Sequence, residues 1–229
     1  MNGFVSWLKQ LQFGTLWEYL ILAAASLLCI MVHESCHGLA ALALGDDTAK
    51  RARRISLNPL RHIDPVGLLM MVFFQFGWAK PVPVDPRRFR HYRSGMALTA
   101  AAGPVSNVLL TYLAIIFWYP CAILSAKNGG WIEYAAEFFQ YVALLSAGLA
   151  VFNLFPIPPL DGSKIVFSLL PDRYYAVLMR YEQYGFLLLL ALLMFGVLDG
   201  PLEILRSGLL NGLLFCAEPF FRLAELLIS

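Results

Sequence analysis

His33-Glu34-Ser35-Cys36-His37-Gly38 places an H-E-x-x-H pattern inside the apolar run from about Trp17 to Leu44. On a helix, residues four apart differ by about 40° in direction and one turn in height, so both imidazoles can reach one tetrahedral metal ion. Zinc suits such a pair. Glu34 points roughly 100° away from His33, which makes it a poor third ligand but sets its carboxylate beside the open position, where it can take a proton from water. Two histidines and a glutamate in the middle of a membrane span are costly, and ionisable residues at that depth point to function.

Two histidines leave the metal one protein ligand short. His62 and His91 stand in basic loops, where a surface histidine that titrates is the usual explanation. Asp161 is the better candidate, because a carboxylate in a broken membrane helix needs a cation or a proton. A 2-His-1-carboxylate set with one open water position describes a hydrolytic zinc site.

The elements that must hold these residues follow from composition. With 59% hydrophobic residues against 14% charged and a mean hydropathy of +0.67, the chain reads as an integral membrane protein. Its 229 residues suit a single membrane-embedded domain over 1–229, with a core at about 17–170 and C-terminal helices at about 173–229. The expected architecture is all-α and polytopic, with about four to six membrane-embedded segments and a short re-entrant or β element near the cytoplasmic face. No stretch is long or polar enough for an appended soluble domain. Nucleic-acid binding is not indicated, since the arginine clusters flank apolar spans and suit lipid headgroups. Cys29, Cys36, Cys121 and Cys216 show no C-x-x-C pairing and read as small packing residues.

The segment from Met1 to Leu16 reads as an interfacial lead-in, and the apolar run after it as a retained span ending near Gly45. His33 lies about 18 Å before that end, so a metal there sits below the surface. Lys50 to Leu57 alternates weakly and suggests a short strand or hairpin. Val66 to Trp78 is apolar but too short to cross a hydrocarbon core of roughly 30 Å, which makes it re-entrant or a partial span. Basic residues on both sides of it, from Lys50 to Arg61 and from Lys80 to Arg93, then share the cytoplasmic face. Between Gly77 and Val84, Pro81 and Pro83 impose an extended backbone able to present an edge to an extended substrate. A second span is expected from about Ser94 to Tyr119, with Gly103-Pro104 and Asn107 in a small-residue contact. A turn-rich connection follows from Pro120 to Trp131, then a third span from Ile132 to about Phe155. Asn153-Leu154-Phe155-Pro156-Ile157-Pro158-Pro159-Leu160-Asp161-Gly162 unwinds that helix at a depth where irregular backbone must be buried in protein or line a cavity. A helix over Ser163–Leu170, a span at about Tyr184–Leu198 and a tail from Leu202 to Ser229, lying either in the interface or against a neighbour, complete the chain.

At these residues the chain resembles the site-2 protease family of intramembrane zinc metalloproteases. The resemblance rests on His33 to His37 in one membrane helix and on Asn153 through Asp161-Gly162 in a later one. It is extended by Ser56 to Pro59 with His62 and Asp64-Pro65, by Gly77 to Val84, and by Gly103-Pro104 with Asn107. It implies cleavage of a peptide bond in or near a transmembrane segment of a client protein, within the lipid bilayer. His33, His37 and Asp161 would bind Zn²⁺, Glu34 would be general base and proton donor, and Asn153 would hold the scissile carbonyl or its oxyanion. It also implies a multi-pass protein of a prokaryotic cell membrane with its active site toward the cytoplasm. No PDZ-like insertion interrupts the chain. The competing readings are a membrane metal transporter using the histidine pair as a transit site, and a catalytically silent relative acting as a membrane chaperone.

Overall fold

The structure is a computed structural model that describes residues 16–64, 80–171 and 184–228. These residues form an all-α polytopic membrane protein. Helix α1 spans Leu16–Ala43, the single turn α2 Thr48–Arg51, α3 Tyr92–Asn128, α4 Trp131–Asn153 and α5 Asp161–Ser168. They are followed by α6 over Tyr184–Met194 and α7 over Asp199–Ile228. Helices α1, α3 and α4 are each long and apolar enough to cross a membrane, and α6 with α7, bent by 87° at their junction, makes a fourth candidate.

Small residues set the core. Ala25 and Cys29 of α1, Ala114 and Ile115 of α3, Val142 and Ala143 of α4 and Ala217 of α7 form one buried cluster. Between helices in lipid the driving force is close packing rather than escape from water, and alanine and cysteine let the backbones approach. Cys29 Sγ stands 3.7 Å from the Val142 carbonyl oxygen, and all four cysteines are free thiols. Both findings agree with a packing role.

The second span runs further than its sequence suggests. Pro120 lies inside α3, which continues to Asn128, so the expected connection shrinks to Gly129-Gly130. Where no water can satisfy a freed carbonyl, unwinding a helix costs more than tolerating one missing N–H, and a proline in a span is accommodated. The glycine pair supplies the reversal through φ of 63° and 75°, values that side chains disfavour.

The basic stretches on either side of residues 65–79 are fastened together beyond the C-terminal end of α1. Asp46 is fully buried and accepts from the Thr48 N–H at 3.0 Å, the Thr48 hydroxyl and the Asp85 N–H at 2.7 Å. Burial alone would raise its carboxyl, but those hydrogen bonds with Arg88 nearby hold it below the usual carboxylate range. Its contribution to stability is present above the unfolded carboxyl's pKa and disappears as pH falls through the lower folded one. Arg88 reaches Asp47 at 2.5 Å, and the Lys80 N–H donates to the His62 carbonyl at 2.9 Å. The strand expected over Lys50–Leu57 is not formed. Asp46 gathers the chain into the turn α2, and bends follow with an isolated bridge at Ile63. The expected re-entrant segment Val66–Trp78, the lead-in before Leu16 and the polar stretch after Pro171 lie outside the described residues, apart from Tyr184 onward.

The break after α4 folds back on itself. Leu160, Leu189 and Leu198 form a second apolar cluster with Phe152, Phe155 and Ile157, tying the proline-rich stretch to α6. The turn is so tight that a Cβ on Gly162 would stand 2.2 Å from the Leu154 oxygen and 2.5 Å from the Phe155 oxygen. Backbone cannot yield as a flexible side chain does. Gly162→Ala is therefore expected to destabilise the detergent-solubilised protein by about 1–3 kcal/mol. Gly148→Ala, whose Cβ meets nothing within 4 Å, should be neutral or stabilise by up to about 1 kcal/mol through helix propensity. Equal unfolding temperatures for the two variants would contradict this account of the turn.

Candidate metal centre

His33 and His37 lie one turn apart on α1, their rings nearly perpendicular with centroids 4.6 Å apart. Asp161 arrives from the other side as the first residue of α5, 128 positions after His33. That helix begins where the Leu154–Leu160 stretch ends, its start held by the Ser163 N–H and hydroxyl donating to the Leu160 carbonyl. A carboxylate at a helix N-terminus is favoured by the exposed N–H groups there.

The three side chains converge on one point. His33 Nε2 and His37 Nε2 are 3.0 Å apart, and Asp161 Oδ2 stands 3.2 Å from the first and 3.1 Å from the second. Ligand atoms bound to tetrahedral zinc at about 2.0–2.1 Å would be separated by roughly 3.3 Å. The residues thus fit the spacing of a zinc site, and all three are at least nine-tenths buried.

The histidine tautomers support the fit. His37 Nδ1 is 2.7 Å from the Thr99 carbonyl. A carbonyl only accepts, so Nδ1 carries the proton and Nε2 presents its lone pair to the centre. His33 Nδ1 faces the carboxamide of Asn107, 3.2 Å from Nδ2, while Asn107 Oδ1 is buried without a partner. The two ends of a carboxamide have the same shape. With its oxygen turned toward His33, Asn107 accepts from Nδ1–H, and His33 Nε2 is also free to bind.

Helix α3 makes room for this arrangement. Thr99, Gly103 and Asn107 recur at four-residue spacing, so they share one face. A Cβ on Gly103 would stand 2.5 Å from His37 Cε1 and Nε2 and 2.6 Å from His33 Cε1. The Asn107 carbonyl in turn accepts from the Ser146 hydroxyl of α4 at 2.9 Å and from Thr111. In the sequence Asn107 and Gly103 read as packing residues. The signal for more was a carboxamide four residues from a glycine on a span otherwise poor in polar side chains.

Glu34 is half-buried, and its Oε2 accepts from the Val82 N–H at 3.0 Å. Val82 is flanked by Pro81 and Pro83, so it alone among the three has an N–H to give. Asn153, the last residue of α4, donates from Nδ2 to the Leu149 carbonyl at 3.0 Å and makes no hydrogen bond to the three converging side chains. Contrary to the expectation of a surface histidine, His62 is 1% exposed and donates from Nε2 to the Ser56 carbonyl at 2.7 Å. The loop folds it inward beneath Ser56, whose carbonyl also accepts from Ser35 at 3.1 Å. His91 is exposed at the start of α3. Among the described residues, His33, His37 and Asp161 are the group of potential ligands brought within reach of one ion.

Known proteins are similar to this chain in sequence. The family model described as Peptidase family M50 matches residues 120–196, which include the Asn153–Gly162 break. "Putative zinc metalloprotease YwhC" of Bacillus subtilis (strain 168) is 37% identical over 183 residues, covering 78% of this chain and 81% of the relative. "Putative zinc metalloprotease Rip2" of Mycolicibacterium smegmatis is 26% identical over 76% of this chain and 67% of its own length. A third relative, "Putative zinc metalloprotease slr1821" of Synechocystis, is 37% identical over 31% of this chain and 20% of its own. No solved structure matches. The extent of the likeness to the Bacillus protein, with the family match across the proline-rich break, shows that this multi-pass membrane protein belongs to peptidase family M50, the site-2 protease family.

Proposed function

We propose that the chain is an intramembrane zinc metalloprotease that hydrolyses a peptide bond in or near a transmembrane segment of a client protein. The observation that carries this reading is the convergence of His33 Nε2, His37 Nε2 and Asp161 Oδ2 within 3.2 Å of one another inside the helical bundle. Three lone-pair donors at that separation repel one another unless a cation or protons lie between them. The names of the relatives and the H-E-x-x-H spacing support zinc as that cation.

His33, His37 and Asp161 hold the ion, with Asp161 offsetting part of its charge. When bound, zinc acts as a Lewis acid that polarises the scissile carbonyl and makes water a stronger acid. Glu34, beside the pair on the same helix, takes the proton from the attacking water and passes it to the leaving amine. Its Val82 contact steadies the carboxylate while leaving the other oxygen free for that proton. Asn153 turns its amide from the Leu149 carbonyl toward the carbonyl oxygen of the client, donating as negative charge develops there. Thr99 and Asn107 fix the imidazole tautomers. The basic loops at the end of α1 mark the cytoplasmic face, following the excess of Lys and Arg on that side of membranes. The bundle itself, between lipid and the broken end of α4, is where an unwound client segment would be admitted.

Asp161→Asn keeps the size of the side chain but removes the anion, and should deplete zinc from the purified protein and abolish cleavage of a transmembrane client. Glu34→Gln should keep near-stoichiometric zinc and lose cleavage, separating proton transfer from metal binding. Full zinc and normal turnover in Asp161→Asn would detach the proline-rich break from the chemistry. Asn153→Ala is expected to retain zinc and cleave on the order of a hundredfold more slowly; metal loss in that variant would mark it as structural. For Asn107, chelator competition should show zinc affinity falling about 10–100-fold in Asn107→Leu, the usual effect of losing a partner behind a ligand histidine. Asn107→Asp retains the acceptor and should keep the affinity. Equal affinity in all three proteins would reduce Asn107 to packing.

A further inference from the structure

We infer that His62 is a positioning residue for Glu34, joining the loop after α2 to the segment that carries the Val82 N–H. Its side chain is 1% exposed and stands outside the group of converging ligands. A buried imidazole is costly unless its nitrogens are hydrogen-bonded. Here one of them is. Nε2 donates to the Ser56 carbonyl at 2.7 Å, whereas Nδ1 is buried and has no partner among the described residues. An apolar side chain at this place would avoid that cost, so what the imidazole contributes is its Nε2–H.

Two connections run from His62 toward the centre. Through its side chain it shares the Ser56 carbonyl with the Ser35 hydroxyl, which donates to it at 3.1 Å. Ser35 follows Glu34 on α1, so the loop is pinned to the turn of helix that carries the base. Through its main chain, the His62 carbonyl accepts from the Lys80 N–H at 2.9 Å. Two residues further, the Val82 N–H donates to Glu34 Oε2 at 3.0 Å.

The chain between those two amides transmits position. Pro81 and Pro83 have a fixed φ, so a displacement at Lys80 is passed to Val82 rather than absorbed. Gly38, one turn after Glu34, completes the seat. A Cβ there would meet Ile55 Cγ1 at 2.9 Å and Val82 Cγ1 at 3.4 Å, so the loop and the segment rest on α1 at one point. Glu34 is half-buried on a long side chain with many rotamers. The Val82 N–H selects among them, and His62 holds that N–H in place.

This role rests on the proposed reading of Glu34 as the base, and the test separates the two. The full zinc-loaded chain in detergent is followed by hydrogen exchange at the Lys80 and Val82 amides, a readout that needs no activity, and by cleavage of a transmembrane client. In His62→Gln the amide nitrogen takes the place of Nε2; in His62→Asn it takes that of Nδ1, and His62→Leu supplies neither. Exchange at both amides should rise about tenfold in the leucine and asparagine variants and stay near the native rate in His62→Gln, the change expected for one net hydrogen bond. In the same two variants kcat should fall about 10–100-fold with KM and zinc content unchanged, and His62→Gln should recover most of it. His91→Gln, at an exposed histidine, should alter neither readout. Where His62→Leu does not fold, His62→Asn carries the comparison. Native exchange at Val82 in the asparagine variant, or an equal loss of kcat in His62→Gln, would overturn the role. Loss of zinc or of folding in all three variants would overturn it too, by making His62 structural. Cleavage that survives Glu34→Gln would instead remove the base reading, while the exchange rates still decide whether His62 holds Val82 on Glu34.

Discussion

Mutual repulsion among three lone-pair donors, buried together and about 3 Å apart, is the constraint to which the rest of the fold answers. In an apolar bundle no solvent moderates it, so the surrounding protein must both force the groups together and dictate which nitrogen carries each proton. Helix α3 does both. Gly103 gives the imidazoles their space, while the Thr99 carbonyl and the Asn107 carboxamide stand behind them. Helix α4 then anchors α3 through Ser146 on the Asn107 carbonyl. The polar contacts form a chain from the core of the bundle to the two imidazoles, and apolar packing of alanines, a cysteine and a valine holds the helices at the separation that chain requires.

The proline-rich break is the counterpart of this rigidity. A continuous α4 would carry Asp161 about 12 Å beyond Asn153 along the helix axis. Unwinding between Leu154 and Leu160 turns the chain back so that the carboxylate starts a new helix facing α1. The cost of irregular backbone is offset by the cluster of Leu160, Leu189 and Leu198 and by the turn that Gly162 permits. Prolines in this stretch therefore direct the chain, whereas Pro104 and Pro120 inside α3 do not interrupt it. What distinguishes the two cases is density: three prolines in four residues remove more donors than a helix can lose, and an isolated one does not.

That contrast also marks how far the chain could be read before its structure. The convergence of His33, His37 and Asp161 was legible because charge and imidazole in an apolar run have few physical excuses, and family M50 was legible from the same residues in order. The first three spans were legible from hydropathy, with α1 and α4 bounded within two residues of expectation, whereas the span expected over Tyr184–Leu198 is the short α6, which ends at Met194 and bends by 87° into α7. Asn107 and Gly103 were not legible as parts of the centre, since their importance depends on which face of α3 meets α1, a relation between helices that periodicity within one helix does not contain. The burial of His62 was missed for a similar reason. Its loop is basic and polar in sequence, yet folds under Ser56, whose carbonyl gives the imidazole a partner. The turn α2 replaced an expected strand because Asp46 offers local acceptors, and among the described residues no strand lies alongside to offer a ladder.

The sequence distance between the halves of the centre has a meaning in time as well as in space. His33 and Asp161 are separated by 128 positions, which at roughly 5–20 residues per second takes a ribosome on the order of ten seconds to cover. During that interval the first helix carries its imidazoles without the carboxylate that completes the proposed ligand set. A nascent chain, or one whose insertion fails after α4, therefore lacks a full centre however well its earlier helices pack. On the proposed reading, the fold in this way delays hydrolytic competence until the bundle that must confine it has been built.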